Sequence, residues 1–125
     1  MKRIRYTVTL SSPSFPYQDS LAYLAPHLGR HFAGACCRPI DGIWAADGHL
    51  YKSRYEGVVQ EPGMQILISV LPAQKALAYE RIQSMLQALK QDLALEIDWV
   101  HVESEEVEAG HFQLPESSDR SRQTE

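Results

Sequence analysis

A chain of 125 residues, 44% of them hydrophobic, is long enough to bury one core without disulfide or metal staples and too short for two. Its formal net charge of −4 is unevenly laid out: residues 2–54 hold seven basic against three acidic side chains, whereas seven acids and two arginines follow from Glu103 onward. No apolar run approaches the roughly 18 residues of a membrane span, Met1-Lys2-Arg3 leads into strand-like alternation instead of a secretory core, and the two cysteines are adjacent, so the sequence predicts a cytoplasmic protein with no disulfide framework.

Ile4, Tyr6, Val8 and Leu10 alternate with Arg3, Arg5, Thr7 and Thr9, the period-2 pattern of a strand with one buried face. Two prolines between Ser11 and Pro16 end it. Leu21, Leu24, Leu28 and Phe32 then recur at helical spacing, with Asp19 or Ser20 as N-cap and Ala33-Gly34 as the stop. Pro26 falls inside that run, so the helix either begins late or bends there. Residues 35–45 read as an edge strand, because Pro39 cannot donate to a central ladder.

Asp47-Gly48 predicts a tight hairpin turn followed by a strand over 49–59, and Glu61-Pro62-Gly63-Met64 predicts a type II turn. The nearly continuous apolar run 64–71 fits a central strand. Pro72 opens a helix to about Leu95, with Tyr79, Ile82, Leu86, Leu89 and Leu93 on one stripe. Residues 96–103 alternate as a last strand, the acidic residues beyond it are assigned to a tail, and the polar stretch 113–125 is expected to be disordered.

That order predicts an α+β, ferredoxin-like sandwich: an antiparallel sheet of four to five strands with two helices on one face, residues 1–112 forming the single domain and 113–125 the tail. The other sheet face, lined by Arg3 and Arg5, has nothing in the chain to cover it, which predicts a homodimer or small homo-oligomer.

Few residues carry an obvious chemistry. Cys36 and Cys37 are adjacent, so on a strand they point to opposite faces and fit buried small side chains better than a metal site. His27 and His31 have metal-compatible i, i+4 spacing, but no third ligand accompanies them and surface histidines are expected. There is no Walker A loop, no G-x-S-x-G, no G-x-G-x-x-G after a strand and no zinc spacing, hence no predicted metal or cofactor. The densest set is Arg38, Asp41, Trp44, Tyr51 and Arg54, with Tyr55 beside it. Guanidinium forks and aromatic faces together suit a nucleotide, another anionic small molecule or a nucleic acid. The competing reading makes Trp44 and Tyr51 a cross-strand pair that stabilises the hairpin, with solvated arginines.

Phe32-Ala33-Gly34-Ala35, Gly42-Ile43-Trp44 and Asp47-Gly48-His49-Leu50-Tyr51 resemble the F-G-G-x, G-x-W and D-G-x-x-Y pattern of small uncharacterised bacterial domains with a ferredoxin-like layout, Ala33 replacing the usual first Gly. The layout is also similar to that of PII-type signalling proteins, whose loop between the middle strands contacts nucleotides and partners, although no PII motif is present. The expectation is therefore a non-enzymatic regulatory module that binds a ligand or partner through residues 36–55. The alternative is a small enzyme with His31, Asp41 or His49 as acid or base, between the first helix and the 41–51 hairpin.

Overall fold

A computed structural model describes residues 1–116. The elements are β1 (Lys2–Ser11), α1 (Tyr17–Phe32), β2 (Cys36–Ala45), β3 (Val58–Val70), a 3₁₀ turn (Pro72–Gln74), α2 (Lys75–Asp92) and β4 (His101–Glu108). The strands form one antiparallel sheet in the order β2-β3-β1-β4, the ferredoxin-like arrangement the element order predicts. No helix of the described residues is long and apolar enough to cross a membrane.

Period-2 alternation on β1 places Ile4, Tyr6, Val8 and Leu10 in the core beside Met64, Ile66, Ile68 and Val70 of β3. Leu24, Leu28 and Phe32 of α1 and Ile82, Met85, Leu86 and Leu89 of α2 join the same cluster, so both helices lie on one face of the sheet. Each such side chain contributes on the order of 2 kcal/mol on leaving water. α1 begins at Tyr17, with Pro16 at the cap position in place of the expected Asp19 or Ser20, and runs through Pro26 on its exposed side to a left-handed Ala33.

Four local expectations are corrected. Glu61-Pro62-Gly63-Met64 is not a turn but the middle of a 13-residue strand, with Pro62 opposite Asp41 and Gly63 between Ile40 and Ser11. Pro62 is tolerated because β1 ends at Ser11: its carbonyl accepts the Ser12 N–H on that side, and the position of its missing N–H faces the same way. A β-carbon on Gly63 would lie 2.1 Å from the Leu10 carbonyl oxygen, so the strands approach there as only glycine permits.

The tight Asp47-Gly48 hairpin is likewise replaced. β2 and β3 close with Ala45 opposite Val58, and residues 46–57 form one long loop in which residues 45–48 make only the first turn. The last strand begins at His101, about five residues later than expected. In consequence, Glu105, Glu106 and Glu108 join Glu103 as strand residues rather than forming part of a tail: Glu105 faces and pairs with Arg5, and Lys2 pairs with Glu106 at 2.8 Å. These charges also blunt an edge strand against pairing with other chains. Residues 113–116 are exposed and irregular, while the rest of the expected tail, 117–125, lies outside the described residues.

Candidate functional site

The cross-strand register fixes which side chains share the face turned away from the helices. Thr9 and Arg38 both oppose Gln65, so odd positions of β1 and β3 and even positions of β2 lie on that open face. Toward the 46–57 loop this puts Ser11, Glu61, Gly42 and Trp44 side by side. The indole Nε1–H of Trp44 donates to Ser11 Oγ at 2.6 Å, and the Ser11 hydroxyl donates to Glu61 Oε1 at 2.8 Å. One hydroxyl thus orients both an aromatic ring and a carboxylate.

These three residues are part of the lining of a cleft of about 730 Å³ that crosses the end of the sheet. Trp44 and His49 line it from β2 and the following loop; Glu96, Asp98, Trp99 and His101 line it from the segment leading into β4. Trp99 is 82% exposed although it borders the cleft. The His101 ring lies 2.7 Å from Glu103, and Lys90 reaches Asp98 at 3.5 Å. Among the described residues no lysine or arginine lines the cleft, and no three metal-ligating side chains converge.

The loop beside the cleft is organised by Asp47. Its carboxylate accepts from Lys52 Nζ at 2.5 Å and from the Glu56 backbone N–H at 3.3 Å, and the Lys52 ammonium holds its pKa below the usual carboxylate value. Tyr55 adds a phenol oxygen that accepts the Lys52 N–H, and Gly57 closes the loop with a positive φ of 65°.

Of the expected ligand-binding set Arg38, Asp41, Trp44, Tyr51 and Arg54, Trp44 alone lines the cleft, and of the acid–base candidates His49 does. Tyr51 is fully exposed in the loop and does not oppose Trp44, whose partner on β3 is Val59. Arg38 opposes Gln65, seven pairs from the loop end, roughly 23 Å along the strands, whereas Arg54 lies in the loop itself. The two guanidinium groups therefore do not converge on one anion. Asp41 faces the helix side of the sheet opposite Pro62, His31 is exposed at the end of α1, and His49 borders the cleft, so the expected acid–base grouping is not assembled. Cys36 is exposed and Cys37 half-buried, with burial raising the Cys37 thiol pKa.

Ser11, Glu61, Trp99 and His101 escape the sequence reading because Ser11 looks like a loop hydroxyl, Glu61 like the first residue of a turn, and Trp99 and His101 like ordinary alternation in a strand. The available signal was Gly42-Ile43-Trp44. A β-carbon on Gly42 would stand 2.7 Å from Trp44 Nε1 and 3.0 Å from Ser11 Oγ, so the absent side chain is what lets the indole reach the hydroxyl.

No family model matches the chain, and no curated protein matches it. Among solved structures it is similar to a phage SAM lyase in complex with S-methyl-5'-thioadenosine, at 13% identity over 89% of this chain and 93% of that chain, with a TM-score of 0.49. At that identity and score the similarity does not bear on chemistry.

Proposed function

We propose that the protein is a non-enzymatic module that binds a small organic molecule in the cleft between the β2–β3 loop and the segment preceding β4. The observation that carries this reading is the Trp44–Ser11–Glu61 chain, which holds an aromatic ring and a carboxylate in set positions in a cleft of about 730 Å³. A few placed polar groups in a concave, partly aromatic site are the usual ingredients of small-molecule recognition. The site differs from the one expected around Arg38 and Arg54, since neither arginine is among its lining residues. A regulatory role fits the long loop at the rim, whose order would respond to an occupant beside Trp44 and His49.

The test is a fragment screen followed by ¹H–¹⁵N NMR, in which both tryptophan indole N–H signals report from the cleft, because the chain has two tryptophans and both line it. Hits should shift these signals together with Ser11 and Glu61, and Trp99→Ala should weaken them. Hits that perturb residues elsewhere while leaving both indoles unmoved would overturn the assignment.

A further inference from the structure

We infer that the occupant of this cleft carries a positive charge on or beside a flat apolar body: an organic cation. The inference rests on the cleft being the binding site and adds the class of ligand. Its first support is Glu61. This carboxylate is partly buried, its Oε1 is engaged by the neutral Ser11 hydroxyl, and no lysine, arginine or histidine forms an ion pair with it among the described residues. A carboxylate drawn partly out of water without a counter-charge is best satisfied by a cation brought from outside.

The second support is aromatic. Trp44 and Trp99 line the same cleft, and tryptophan has the most favourable face for a cation because of its ring quadrupole. Trp44 donates its N–H to Ser11, which fixes the ring beside Glu61 and leaves the π-face as the surface it can still offer. The third is charge balance. Glu96 and Asp98 also line the cleft, Asp98 only loosely neutralised by Lys90 at 3.5 Å; among the described residues the lining holds no lysine or arginine, its basic side chains being His49 and His101, the latter already engaged by Glu103 at 2.7 Å. An anion such as a free phosphate would meet carboxylates without a matching donor cluster.

The experiment uses the full chain and three bicyclic probes of nearly equal shape: 1-methylquinolinium as cation, quinoline as neutral form and quinoline-2-carboxylate as anion, each titrated at pH 8 and followed by the two indole N–H signals. The cation should bind about tenfold or more tighter than the neutral probe, the anion should show the weakest binding, and Glu61→Gln should remove most of that preference. Glu61→Gln keeps an acceptor for Ser11 and so preserves the ring position; Asp98→Asn, on an exposed side chain, is a second variant that should narrow the preference without touching the Ser11 network. Equal binding of cation and neutral probe at the indoles would overturn the cation class while leaving the cleft as the site. A preference for the anion would overturn it in the same way. If no probe moves either indole, the binding reading fails with it.

Discussion

Trp44 and Gly42 lie two residues apart on the same face of β2, and the indole occupies the space a side chain at position 42 would fill. The consequence can be measured. Gly42→Ala should push the indole off Ser11, shifting the Trp44 Nε1–H signal upfield. The β2–β3 end is largely exposed, so the stability loss should stay near 1 kcal/mol. An unchanged indole signal would show that the Trp44–Ser11 bond does not depend on Gly42.

Gly63→Ala is expected to behave differently. Its new β-carbon would meet backbone, the Leu10 carbonyl at 2.1 Å and Ser11 Cα at 2.8 Å, neither of which can rotate away. β1 and β3 would have to separate in the centre of the sheet, at a cost of about 3 kcal/mol or more. Denaturant unfolding of the two glycine variants side by side checks the contrast; equal midpoints would contradict it.

The contrast also explains what could be read from the chain. Alternation on β1 and the helical repeat of α2 follow from burial of one face, so Ile4 to Leu10 and Ile82 to Leu89 were legible without a structure. Pro62-Gly63 was not, because the local preference of Pro-Gly for a turn is overridden by ladders on both sides, and only the partner strands reveal that Gly63 serves a close approach. Asp47-Gly48 likewise forms a local turn, but Ala45 opposite Val58 sets the hairpin, and the loop's order depends on Lys52, Tyr55 and Glu56 further along. Trp44 was marked by its neighbours, whereas Ser11 and Glu61 acquire their role only from being brought beside it across three strands.

Ser20 offers a test of the core. Its hydroxyl is buried in the first turn of α1 with no hydrogen-bond partner, an arrangement that costs free energy without a compensating contact. Ser20→Ala should therefore stabilise the protein by about 1 kcal/mol, alanine also being the better helix former. A lower melting temperature for the variant would mean that the hydroxyl is satisfied in solution.

The two cysteines should separate kinetically on alkylation. Cys36 is exposed on the open face, whereas Cys37 faces the helix side, is half-buried, and has its thiol pKa raised chiefly by that burial. Because the thiolate is the reacting form, iodoacetamide near neutral pH should modify Cys36 first and Cys37 several-fold more slowly, the gap narrowing as the pH rises. Peptide mapping over time reads this directly, and equal rates at the two positions would contradict the burial of Cys37.

The loop beside the cleft should be acid-sensitive through Asp47. Lys52 lowers the folded-state pKa of this carboxyl below its ordinary 3.8, so the ionised form is the one the loop structure favours. The associated stabilisation is present above the ordinary value and is lost as the pH falls through the lower, folded-state value. Loop order should thus persist down to roughly pH 4 and give way below it, seen as faster exchange of the Glu56 amide and movement of the His49 and Trp44 signals. The pair is partly exposed, Lys52 more than Asp47, and one such ion pair contributes little to global stability, so global melting should barely change over that step. Asp47→Asn keeps an oxygen for the Glu56 N–H but loses the charge that binds Lys52, and its loop should show no such step in acid. A step of the same size and midpoint in Asp47→Asn would assign the transition to another group.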